Sequence, residues 1–195
     1  MLQNKNIKLE GVIPATLLAF DKDYQINEKA SRKHIKECAV TKGISAITVN
    51  GHSSEIHACD FEEQKRILSF SLEEVGDFMP VINGVYADGS IEAAKIAKMS
   101  DKTGASALLC FPPQSMAMGG HLRPEMAVEH FKRIADARAS NKNNKDNLAA
   151  KELLDNITSK VINLQSDSSK ILDSIEKSLK NEDIVFIDEL NVPDS

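Results

Sequence analysis

The sequence predicts an α/β fold, a parallel sheet covered by helices, with a helical segment of different character after it. Three observations predict this. Short apolar, β-branched runs alternate with stretches whose apolar residues recur at helical spacing. The runs are apolar at consecutive positions, as strands buried on both faces are. After Ala139 the alternation stops and a polar run gives way to a heptad seam.

Gly11 to Phe20 is the first apolar run, closed by Asp21-Lys22-Asp23, and is expected to be a strand. Asn27 is placed to cap a helix carrying Ala30, Ile35, Cys38 and Ala39, with Gly43 as its stop. Ile44 to Val49 is the second strand. Asp60 and Glu63 form a capping box for a helix with Phe61, Ile67, Leu68 and Leu72 on one stripe. Met79 to Val85 is the third strand, and Ser90 opens a helix that ends near Gly104. Ala105 to Phe111 is the fourth strand, halted by Pro112-Pro113. Pro124 suits the first position of a helix bearing Val128, Phe131 and Ile134. That makes about four β/α units.

Residues 140–147 contain no apolar side chain and are expected to be a linker. In 148–180, Leu154, Ile157, Val161, Leu164, Ile171 and Ile175 step by threes and fours, with Ser168 at the one polar seam position. This predicts an amphipathic heptad helix. Residues 181–195 are expected to be a tail, with Ile184 to Ile187 able to form a short strand but no further β/α unit.

Composition narrows the function classes. The net charge is −5, aromatics are 5% and Trp is absent, so neither a basic patch nor a stacking platform for nucleic acid is expected. No run approaches the roughly 20 apolar residues of a membrane span. Cys38, Cys59 and Cys110 lack paired spacing, and the polar start has no secretory pattern. Reduced thiols in the cytoplasm are the expectation.

Several stretches together resemble the dihydrodipicolinate synthase and N-acetylneuraminate lyase family. These are Gly11-Val-Ile-Pro-Ala-Thr with Phe20-Asp21, the loop Asn50-Gly-His-Ser-Ser-Glu55, and Pro80-Val-Ile-Asn-Gly-Val85. Gly104 to Leu109 with Pro112-Pro113, and His130 to Ala135, extend the likeness, which covers roughly residues 8–138. The resemblance implies the N-terminal half (8–139) of a (β/α)₈ TIM barrel, a fold that usually needs about 250 residues. It implies class I aldolase chemistry, in which a lysine forms an imine with pyruvate or a related 2-oxo acid, a tyrosine relays protons, and no cofactor takes part.

The resemblance places the carboxylate of a small 2-oxo acid at Gly51, His52, Ser53, Ser54 and Glu55. Ser53 matches a family hydroxyl position; it either binds the carboxylate or caps the turn, and the resemblance favours binding. His52 stands where the family has threonine, and it either donates to the carboxylate or alters the site. Ser54 replaces a glycine that gives the family loop its tight path. Glu55 matches the family glutamate and is read as a loop anchor. His52, His57, Cys59 and Asp60 fit no zinc spacing, so no metal is expected.

No Schiff-base lysine is found. Lys95, Lys98 and Lys132 fall within helices, Lys102 at a helix end, and Lys160, Lys170, Lys177 and Lys180 off the heptad seam. The family tyrosines have no counterpart, since Pro112 to Met116 contains none. The chain therefore reads as truncated or rearranged near residue 139 and inactive alone. About four β/α units leave open sheet edges, so a homo-oligomer or a paralogous subunit is the expected partner. The alternative is a non-catalytic carboxylate-binding or oligomerising protein.

Overall fold

The computed structural model describes residues 10–119, 122–139 and 184–185. In chain order these form α1 (Glu28–Ala39), β1 (Ile47–Val49), α2 (Phe61–Val75), β2 (Val81–Val85), α3 (Ser90–Thr103), β3 (Ala107–Cys110), α4 (Gln114–Ala117), α5 (Pro124–Ala139) and β4 (Ile184–Val185). The strands lie in the order β1-β2-β3-β4, and each neighbouring pair is parallel. Parallel neighbours need crossovers, and α2, α3 and α5 lie on them. The expected α/β class and incomplete parallel barrel sheet are present.

The first expected strand is only partly formed. Val12 bridges Ile44 and Ala15 bridges Thr48, both parallel, but no continuous ladder joins them. Pro14 sits between these bridges and has no N–H to donate. Beyond Thr16 the backbone turns to α1 for partners: Leu17 N–H donates to His34 Nε2 at 3.1 Å and Ala19 N–H to Ser31 Oγ at 3.1 Å.

The helix ends follow local chemistry. Asn27 caps α1 by accepting from Ala30 N–H, and the Asp60–Glu63 capping box opens α2. Gly104, at φ 111°, closes α3. Gly43 differs from expectation: α1 ends at Ala39 with Val40 as its cap, and Gly43 instead makes the next turn at φ 94°. The short α4 was not foreseen; Asp88 Oδ1 accepts from its first amide, Gln114 N–H, at 3.0 Å.

The sheet is apolar on both faces, by alternation along each strand. Ile47, Val49, Val81, Val85, Leu108 and Cys110 join the larger core with Ile67, Leu68, Phe70, Ile96 and Ile134 of the helices. Ala46, Ile82, Ala107, Leu109 and Phe111 form a smaller cluster on the other face. No described helix is long and apolar enough to cross a membrane.

The short strand expected in 184–187 exists over Ile184–Val185 and joins this same sheet, with Leu108 opposite Ile184. The linker at 140–147, the heptad helix at 148–180 and the rest of the tail lie outside the described residues.

Candidate functional site

The loop after β1 is built by two left-handed residues around a tight turn. Asn50 (φ 54°) swings the chain off the strand, His52–Ser54 form a 3₁₀ turn behind an extended Gly51, and Glu55 (φ 55°) ends it. Ser54 itself needs no positive φ, so a side chain is tolerated where the family has glycine. Its hydroxyl turns inward and donates to the Thr16 carbonyl at 2.6 Å, tying the loop to the first extended segment.

A buried polar network holds the loop from below. Asn50 Nδ2 donates to Asn83 Oδ1 at 2.8 Å and to the Gln64 carbonyl at 2.9 Å. Asn83 Nδ2 in turn donates to Ser100 Oγ at 2.8 Å. Gln64 Nε2 reaches the Cys59 carbonyl at 3.0 Å. The loop is thereby fixed to α2, β2 and α3.

The turn divides its residues. Gly51 and Ser54 are buried, His52 is half-buried, and Ser53 and Glu55 are exposed. The first bond of the turn runs from Ser54 N–H to the Gly51 carbonyl at 3.0 Å. Gly51, His52 and Ser53 thus come together at the carboxyl end of β1. Glu55 contributes its backbone to the turn, while its side chain faces out.

The rings of His57, Tyr86 and Phe111, which the sequence reading did not assign to the site, gather around His52. The His52 imidazole stacks on Phe111 with centroids 4.0 Å apart and planes 21° from parallel. Tyr86 meets His52 edge-on at 5.4 Å and His57 at 6.1 Å. Tyr86 follows β2 directly and Phe111 follows β3 directly, and that position at a strand's carboxyl end was the available signal. Burial and the Asp88 carboxylate, to which its hydroxyl is hydrogen-bonded, push the Tyr86 pKa up, so it stays a neutral donor. A cleft of about 410 Å³ opens behind Tyr86, reached by His57, Gln64, Asp88 and Glu92.

No three His, Cys, Asp or Glu side chains converge as a metal set among the described residues. Lys95, Lys98 and Lys102 lie on α3 and Lys132 on α5. Lys22, which the sequence reading did not weigh as a nucleophile, follows the first extended segment. Its side chain is 90% exposed and lies 3.8 Å from Asp23. The four tail lysines fall outside the described residues.

Parallel strands with helices on the crossovers, and a polar turn at the carboxyl edge, make up part of a (β/α)₈ barrel, whose sites sit at that edge. Residues 8–144 match the model of the dihydrodipicolinate synthetase family, and the chain belongs to it. It is 32% identical over 131 residues to a 4-hydroxy-tetrahydrodipicolinate synthase of Bartonella henselae, covering 66% of this chain and 42% of that one. It is 28% identical over 129 residues to a DapA-like lyase of Halobacterium salinarum, described as uncharacterized, covering 66% and 41%. The chain thus spans about two fifths of the length of these relatives.

Solved structures agree on the fold. The sialic acid aldolase of Ruminococcus gnavus superposes with a TM-score of 0.57 at 24% identity, covering 66% of this chain and 41% of that one. The 4-hydroxy-tetrahydrodipicolinate synthase of Methylacidiphilum fumariolicum gives 0.56 at 23%, covering 67% and 41%.

Proposed function

We propose that this chain carries the carboxylate-holding half of a Schiff-base aldolase site and has no turnover by itself. The ligand is pyruvate or a related small 2-oxo acid, held by Gly51, His52 and Ser53. The observation that carries this reading is the turn at the carboxyl end of β1. The turn presents the exposed Ser53 hydroxyl beside the half-buried His52 and the buried Gly51. A hydroxyl at the carboxyl end of a barrel strand suits a carboxylate.

Imine formation needs a neutral amine aimed into the pocket, in surroundings that lower its pKa. Lys22 is the one described lysine after an extended segment, and solvent surrounds it. Activity therefore depends on a lysine supplied in trans by another subunit. The three described cysteines are free, which supports a reducing compartment such as the cytoplasm.

Two measurements test the proposal. Titration with pyruvate should show weak binding that Ser53→Ala reduces several-fold; equal binding by the variant would sink the carboxylate assignment. Borohydride trapping with pyruvate, read by intact mass, should leave this chain unmodified. An adduct would overturn the claim of inactivity and its peptide would name the lysine.

The second reading, a non-catalytic binding or oligomerising protein, draws on the same lysine placement. It separates from the first when a candidate partner is added: trapping that appears only in the mixture favours the enzyme.

A further inference from the structure

We propose, on the carboxylate reading of the site, that His52 is its main ligand contact and that Phe111 is the positioning residue that holds the His52 imidazole ready. Ser53 is exposed, whereas His52 is half-buried and gripped by rings from two neighbouring strand ends.

The grip starts from the sheet. Phe111 leaves β3 with its N–H donated to the Val85 carbonyl at 3.0 Å. Its ring is 4% exposed and packs with Ala46, Ile82, Ala107 and Leu109. Pro112 follows directly and disfavours a helical backbone at Phe111, which keeps the ring in line with its strand. On this fixed ring lies His52, with centroids 4.0 Å apart and planes 21° from parallel.

Tyr86 closes a second side, edge-on to His52 at 5.4 Å with planes 80° apart. Its hydroxyl is bonded to the Asp88 carboxylate, and Asp88 Oδ1 also accepts from Gln114 N–H at 3.0 Å. That carboxylate links the residues after β2 to those after β3. His52, Phe111, Gln114, Asp88 and Tyr86 thus form a closed circuit in which the loops after three strands fix one ring.

The consequence for binding is entropic. A histidine on a surface turn samples several rotamers, and ordering them around a ligand costs affinity. Here the aromatic contacts order the ring before a ligand arrives. A neutral imidazole has one N–H and an imidazolium two, so the ring carries a donor in every protonation state. The Ser53 hydroxyl can also donate to a carboxylate, but the preset ring loses less freedom in doing so.

Calorimetric titration of the full chain with pyruvate tests this. His52→Ala should weaken binding about tenfold, the worth of one hydrogen bond to a charged group, and by more than Ser53→Ala does. Phe111→Leu keeps an apolar side chain, removes the stack and should lose as much as His52→Ala. Because Phe111 acts through His52, adding Phe111→Leu to His52→Ala should cost nothing further, while adding it to Ser53→Ala should multiply the losses. Wild-type binding by Phe111→Leu, or multiplied losses in its pair with His52→Ala, would overturn the proposal. If Ser53→Ala binds like wild type while His52→Ala and Phe111→Leu lose together, the Ser53 assignment fails and this one stands. A second measurement needs no variant to fold. In the wild-type proton spectrum the His52 ring protons should lie upfield of free histidine, shielded by the Phe111 ring, and should move when pyruvate is added. Free-histidine shifts, or resonances that pyruvate leaves in place, would overturn the proposal.

Discussion

Gly84 of β2 lies directly beneath the carbonyl of Asn50: a Cβ on Gly84 would stand 1.8 Å from that oxygen. Strand β2 and the loop after β1 therefore touch through backbone, and glycine is required by this approach rather than by its own φ. Gly84→Ala should push Asn50 away, breaking its bonds to Asn83 and Gln64. A loss of about 3 kcal/mol is expected, at the upper end for overpacking. Urea denaturation would measure it, and an unchanged midpoint would mean the two segments can part freely.

Ser54→Ala removes the 2.6 Å bond to the Thr16 carbonyl at a buried position. The expected cost is about 1–2 kcal/mol, since a buried acceptor loses its donor. Exchange of the Thr48 amide, which donates to the Pro14 carbonyl at 2.9 Å, should quicken as the first segment loosens. A slower or unchanged rate would contradict the tie.

His130 makes stability depend on pH. It is 2% exposed, its Nδ1 lies 3.0 Å from Ser90 Oγ, and Nε2 has no partner among the described residues. Burial depresses its pKa below the ordinary 6.5. The unfolded chain takes up this proton near 6.5, whereas the folded chain does so only at lower pH. Stability from the neutral ring is therefore complete above 6.5 and declines as pH falls toward the folded value. The denaturation midpoint should drop between about pH 7 and pH 5 more steeply in wild type than in His130→Leu. Parallel pH profiles would refute the assignment.

The thiols should be sluggish in the native state. Burial pushes Cys59 to about 11 and Cys110 to about 12. Cys38 is half-buried and also raised by burial, with Glu37 adding to the shift. Thiolate is the reactive form, so alkylation near neutral pH should be slow, with Cys38 labelled first. Early labelling of Cys110 would show that β3 opens readily.

The order and kind of the main elements were legible in the sequence because the signals are local. Helical spacing, the Asn27 cap, the Asp60–Glu63 box and the Gly104 stop each act within a few residues, and each is present in the fold. The loop Gly51–Glu55 was picked out differently, by the resemblance of a short motif after a strand to a family loop. What only the tertiary structure decided are relations between distant residues. Pro14 breaks a ladder whose other half is Ile44–Thr48, so the first strand shrinks to two bridges. Ile184–Val185 is a sheet strand only because β3 offers it an edge. His52, Tyr86 and Phe111 carry no shared spacing. They meet because parallel strands end on one edge, and the residue after each strand is delivered there whatever its distance along the chain.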